Sequence, residues 1–197
     1  MKTQLLICFS SLFHYNDFAI AIFYCEPGQD RNIAALSKLK YVRWFIFMNI
    51  DEKYMKAALL EAKKAYSKDE VPVGAVIVKN DKIIARGHNL RESKNDPTMH
   101  AEIVAIRKAC KKANSWRLED ATIYVTVEPC SMCAGTILWA RMKRVVYGAS
   151  DPKGGSLGGS FNLYEMPNLN HHPEITGGVL KEECGELMSQ FFKGKRK

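Results

Sequence analysis

Long apolar runs are the first thing this 197-residue chain lacks. Two short ones occur near its start, Leu5–Phe13 and Phe18–Cys25, split by the polar His14-Tyr15-Asn16-Asp17. Neither approaches the roughly 20 residues that a helix needs to cross a bilayer, so no membrane partner is expected. Acidic charge is in deficit: 21 Asp and Glu stand against 29 Lys and Arg, a net charge of +8. That moderate surplus admits a nucleic-acid partner without demanding one. A secreted disulfide framework is missing too. Of six cysteines, Cys130 and Cys133 form a C-x-x-C pair. Cys8, Cys25, Cys110 and Cys184 are scattered thiols of the kind a reducing cytoplasm keeps free. The glycine-rich stretch 152–160 does not arrange its lysine and hydroxyls as a phosphate-binding loop does and reads as a mobile connector. What is present, 47% hydrophobic residues, suffices for one domain with a sizeable core and an appendage.

Residues 1–47 read as an N-terminal extension outside the working domain. One lysine ahead of an apolar run imitates a signal peptide, but Phe23-Tyr24-Cys25 is no small-residue cleavage site. Asp17, Glu26 and Asp30 are foreign to a mitochondrial transit peptide. Met48-Asn49-Ile50-Asp51-Glu52 looks like a natural start, with Asn49 as N-cap and Glu52 as its capping-box partner. The expectation is a domain over 48–197, preceded by a stretch that a start codon assigned too early has added.

Within that domain the periodicity predicts an amphipathic helix over Asp51–Ser67. A buried β-branched strand follows over Val71–Val78, then a two-residue turn at Asn80-Asp81 and a returning strand over Lys82–His88. Asn89–Asp96 reads as a polar loop, and an apolar-periodic helix follows from near Pro97. Further strands are expected over Ala121–Val127, Lys143–Gly148 and Glu174–Thr176, with a helix starting near Pro129 and a last one over Leu180–Phe192. Strand, helix, strand implies parallel pairing through right-handed crossovers. Sites in such sheets lie at the carboxyl ends of the strands. The basic ending Lys193-Gly194-Lys195-Arg196-Lys197 is either a solvated terminus or a phosphate contact.

Two stretches carry the chemistry: His100-Ala101-Glu102 and Glu128-Pro129-Cys130-Ser131-Met132-Cys133. They offer one imidazole, two thiols and one carboxylate. A spacing of three residues puts Cys130 and Cys133 on one helix face, and a helix N-terminus favours their thiolate forms. Three protein ligands on zinc leave a fourth position for water, which separates a catalytic site from a closed structural one. Cys110 lies about 15 Å from His100 along a helix and does not close the set, and nothing in the spacing of His88 recruits it. Glu102 beside the metal has no use in a structural site.

The H-x-E and P-C-x-x-C pair resembles the signature of the zinc-dependent nucleobase deaminases. From Met48 onward the chain resembles the bacterial tRNA-specific adenosine deaminases of the cytidine/deoxycytidylate deaminase superfamily. Pro72-Val73-Gly74-Ala75-Val76, Asp96–Glu102, Tyr124–Gly135, Arg144–Asp151, Ile175–Gly178 and Phe191-Phe192 with its basic ending carry the likeness. The resemblance implies a three-layer α/β/α cytidine-deaminase-like fold, a mixed five-stranded sheet with an antiparallel first hairpin, and a homodimer. It implies one Zn²⁺ per subunit on His100, Cys130 and Cys133, with Glu102 as proton shuttle, and hydrolytic conversion of adenosine to inosine at the wobble position of an arginine tRNA anticodon. By the same likeness Asn89 bonds the adenine ring and Asp151 lies near the sugar-phosphate path. Backbone N–H groups near Ala101 and Cys130 are candidate donors to the tetrahedral intermediate. Two rivals are a guanine or other free-base or nucleotide deaminase with the same metal core, and a zinc-stabilised RNA-binding module without turnover. Trp139 is open between a dimer face and the core, and His171 and His172 between RNA contact and ordinary loop roles.

Overall fold

The computed structural model describes residues 50–195; the extension over 1–47 and the Asn49 cap lie outside them. Helix α1 covers 50–66. Its apolar positions return every three or four residues, and Tyr54, Met55, Ala58, Ala62 and Ala65 are all buried, the stripe that an amphipathic helix presents to a core. β1 (Gly74–Lys79) and β2 (Lys82–His88) form an antiparallel hairpin. Asn80 and Asp81 between them both have positive φ, as a two-residue hairpin turn requires. There follow α2 (Arg91–Lys94), α3 (Ala101–Ala113), β3 (Thr122–Val127), α4 (Ser131–Trp139), β4 (Arg144–Ala149), β5 (Glu174–Thr176) and α5 (Lys181–Lys195).

The five strands form one sheet in the order β2-β1-β3-β4-β5. β1 is antiparallel to both β2 and β3, whereas β3, β4 and β5 pair in parallel. Successive side chains alternate between faces. Ala75, Ile77, Ile123, Val125 and Val145 pack with Ala105, Ala109, Ala134 and Ile137 of α3 and α4. Val76, Val78, Tyr124 and Val146 pack with Tyr54, Met55 and Ala58 of α1 and with Cys184 of α5. The result is the three-layer α/β/α architecture with its mixed sheet. Each large apolar side chain buried this way stabilises the fold by about 1.5–3 kcal/mol, so the central strands, covered on both faces, carry most of it. At Gly87 a Cβ would stand 2.2 Å from the Ala101 carbonyl oxygen. The absent side chain lets the start of α3 lie directly on β2. An ion pair ties α1 to the sheet: both terminal nitrogens of Arg144 donate to Asp51, at 2.9 and 2.7 Å, and the Tyr124 hydroxyl donates to it at 2.8 Å.

Four local expectations differ from the structure. β1 starts at Gly74 rather than Val71, because Pro72 has no N–H to give a ladder and Val73 instead accepts from the Asn89 N–H. The loop after β2 holds a short helix, α2. α3 starts at Ala101, not near Pro97: the Asp96 carboxylate accepts from the Thr98 N–H and hydroxyl at 2.8 and 2.7 Å and holds Pro97 in a turn. α4 starts at Ser131, because an isolated bridge to Gly155 keeps Cys130 extended. Among the described residues no helix is long and apolar enough to cross a membrane.

Candidate active site

The pairing directions decide where the site lies. β3 and β4 end at Val127 and Ala149, β2 runs the same way and ends at His88, and antiparallel β1 begins there. A cleft of about 870 Å³ opens along this edge, lined by Val73 before β1, Asn89 after β2, His100 and Glu102 at α3, Cys130 at α4 and Asp151 after β4. Its volume falls within the range of sites that hold a small organic ligand.

His100 and Cys130 are the N-cap residues of α3 and α4. Both have extended backbones, with ψ of 155° and 172°, and neither side chain caps its own helix. Their side chains are therefore free to meet. His100 Nδ1 lies 3.7 Å from the Cys130 sulfur and 3.6 Å from that of Cys133, and all three donor atoms fall within 4.8 Å of one another. A tetrahedral zinc at about 2.3 Å from sulfur and about 2.05 Å from nitrogen has N···S edges of about 3.6 Å. The donor set and its spacing therefore fit such an ion. The N-terminal, positive dipole ends of α3 and α4 converge on this corner. A hydrogen bond from Cys133, aided by the nearby His100, pushes the Cys130 thiol down to about 4.

Glu102 is the second residue of α3, two beyond His100, and is 3% exposed. Burial outweighs its hydrogen bonds and pushes its carboxyl up to about 6. A carboxyl poised there both accepts and returns a proton near neutral pH.

Two further buried carboxylates escaped sequence reasoning. Glu128, 4% exposed, accepts from the N–H groups of Leu157 and Gly159, each at 2.8 Å, from the Asp151 N–H at 3.0 Å and from the Ser150 hydroxyl at 2.7 Å. Burial raises its pKa, but these donors more than reverse that and leave it below the ordinary range. The segment 152–160 is consequently wrapped round a carboxylate, not a loose connector; Ser156 is fully buried and its N–H donates to the Pro129 carbonyl. At Gly159 a Cβ would lie 2.3 Å from the Glu128 carboxylate. The abundance of glycine in this loop, beside a lone glutamate ahead of Pro129, was the available signal. Glu70, fully buried, accepts from the Asn89 side chain at 3.1 Å and from the N–H groups of Glu92 and Ser93 at 3.2 and 2.7 Å. Nothing in its spacing announced it.

The other candidates divide. Asp151 lines the cleft, with one carboxylate oxygen accepting from the Lys153 N–H at 2.9 Å. From α5, Met188, Ser189, Phe192 and Lys193 reach the cleft wall, while Lys195 pairs with Asp69. His171 and His172 bond the carbonyls of Met142 and Tyr164 and do not line the cleft, which is the ordinary loop role. Trp139 is 65% exposed and does not fill the core.

Comparison with known proteins follows the same lines. The model of the MafB19-like deaminase family matches residues 49–196. A protein of Bacillus subtilis named tRNA-specific adenosine deaminase is 54% identical over 150 residues, 76% of this chain and 93% of its own. One of Haemophilus influenzae with the same name is 49% identical over 74% of this chain and 85% of its own. A solved structure from work on A-to-I editing by tRNA:A34 deaminases is 43% identical, with a TM-score of 0.65, and covers 68% of this chain and 98% of its own. A guanine deaminase of Bacillus subtilis is 35% identical, with a TM-score of 0.50, over 71% of this chain and 92% of its own.

Proposed function

Because the chain belongs to the tRNA-specific adenosine deaminase family, we propose that it hydrolyses adenosine to inosine at the wobble position of a tRNA anticodon, that of an arginine tRNA in particular. The observation that carries the reading is the three-donor corner with a buried carboxylate of raised pKa beside it, at the mouth of a nucleotide-sized cleft.

His100, Cys130 and Cys133 would hold one Zn²⁺ per subunit. When bound, zinc supplies a water acidic enough to act as nucleophile near neutral pH. Glu102 would take one proton from the attacking water and deliver it to the adenine ring nitrogen, then take the second from the oxygen now on the ring carbon and deliver it to the amine, which leaves as ammonia as the C–N bond breaks. Backbone N–H groups near Ala101 and Cys130, at the starts of α3 and α4, are candidates to steady the charge that builds on the reacting centre. Asn89 bonds the base and Asp151 stands beside its sugar and phosphate. Lys193 and Lys153 on the cleft wall offer charge to flanking phosphates, as does the basic ending. An exposed Trp139 with the guanidinium of Arg141 over its ring suits a homodimer face. The scattered thiols suit the cytoplasm.

Offering the purified protein a tRNA pool, guanine and cytidine side by side tests this. Inosine at the anticodon is the expected product. Consumption of guanine with untouched tRNA overturns the tRNA reading in favour of a free-base deaminase, and zinc retained with no turnover of any of them would leave a binding module.

A further inference from the structure

Asn89 is 5% exposed and lines the cleft, and its amide can be read without ambiguity. An ionised carboxylate only accepts hydrogen bonds, so the atom that Glu70 touches is the amide nitrogen, at 3.1 Å. Glu70 also accepts from two backbone N–H groups of α2. These three donors, in a fully buried setting, require its charge. The Asn89 backbone N–H is spent on the Val73 carbonyl at 3.1 Å. Among the described residues no buried side-chain polar atom lacks a partner. Asn89 Oδ1 accepts from no protein group, so it is the amide atom left to the cleft.

We propose that Glu70 is a specificity-determining positioning residue: by holding Asn89 Nδ2 it turns Asn89 Oδ1 into the cleft to accept from a hydrogen-bond donor on the substrate nucleoside. The inference rests on the deaminase reading above. Within an RNA strand two groups of an adenosine bear such a donor, the exocyclic amine and the ribose 2′-hydroxyl. In either case a substrate without it strands a desolvated acceptor, which is how a site built for a hydrogen bond rejects an analogue.

The test is a double-mutant cycle in the full-length protein, read as kcat/KM on an anticodon stem-loop RNA. Glu70→Gln has one acceptor oxygen for three donors and releases the amide. It is expected to lower kcat/KM by about 10- to 100-fold, the cost of a misplaced contact group. In an Asn89→Ala background the same substitution should change kcat/KM by less than about twofold, since independent residues add and coupled ones do not. An equal loss in both backgrounds, or no loss in either, overturns the proposal. A stem-loop with 2′-deoxyadenosine at the target identifies the donor: the Glu70→Gln loss vanishes there if the ribose hydroxyl supplies it and persists if the amine does. If wild type deaminates guanine instead, the tRNA reading fails by itself and the cycle is run on guanine. A spectrum of the wild-type protein needs neither substrate nor variant. One Asn89 side-chain N–H proton should be shifted downfield and protected from solvent exchange, and two freely exchanging protons overturn the proposal even if Glu70→Gln does not fold.

Discussion

Glu102 and Glu128 are buried to nearly the same degree, 3% and 4% exposed, in the wall of one cleft, and their environments do opposite things to them. Around Glu102 burial dominates and the carboxyl rises to about 6. Around Glu128 two loop amides, a third from Asp151 and the Ser150 hydroxyl outweigh burial and hold it below the ordinary range. Burial that outweighs the hydrogen bonds suits a proton carrier, whereas burial with a full set of donors makes an anchor. The same depth thus yields one group poised to move protons and one that holds 151–159 against the segment between β3 and α4 that leads to Cys130. Glu70 belongs with Glu128: burial raises its pKa, but the N–H groups of Ser93 and Glu92 and the charge of Arg91 bring it below the ordinary value.

The largest effect should come from the carrier. Glu102→Ala is expected to lower kcat by about 10²–10⁴-fold while the protein keeps its metal by elemental analysis. Inosine formation at the normal rate in a zinc-loaded variant would break the distinction. Chelation of the metal should abolish turnover, and added zinc should restore it, with the melting temperature reporting what binding contributes to the fold.

The anchor should fail differently. Glu128→Gln leaves buried donors facing an amide nitrogen, a loss of about 1–3 kcal/mol. It should appear in urea unfolding and in faster proteolysis of the 152–160 loop. Unchanged stability would show that the donors find water instead. Acid sharpens the contrast further. The native pKa values of Glu70 and Glu128 lie below their ordinary 4.5, so the unfolded chain binds protons first. Their contribution is present above 4.5 and is lost as pH falls through the native values. Stability measured at successive pH values from 7 downward should therefore decline only below the mid-fours from this source. The smallest effect on folding belongs to Trp139→Ser, within about 0.5 kcal/mol for an exposed side chain. Sedimentation should nevertheless shift from dimer toward monomer, and an unchanged dimer would remove Trp139 from that face.

Much of the site was legible because its chemistry is local. His100 with Glu102, and Cys130 with Cys133, sit at spacings that put each pair within one helical turn. β1 showed itself through an uninterrupted β-branched run, since a strand covered on both faces needs apolar residues on both. Helix starts were misplaced at Pro97 and Pro129 for one reason. Proline suits a turn as well as a first helical residue, and the Asp96 side chain and the Gly155 bridge chose between them. The loop over 152–160 was misread because its partner, Glu128, lies on the far side of α4 and β4 in sequence.

The chain's own order of residues therefore determined which donor atoms exist, which faces are apolar, and that three side chains able to hold a metal stand with an acid next to them. Tertiary structure alone decided which buried carboxyl is raised and which is held ionised as an anchor, and which atom of Asn89 is bonded to Glu70. The physical reason is that a pKa or an amide orientation is set by the donors within hydrogen-bonding distance, and those donors arrive from segments up to 31 residues away along the chain.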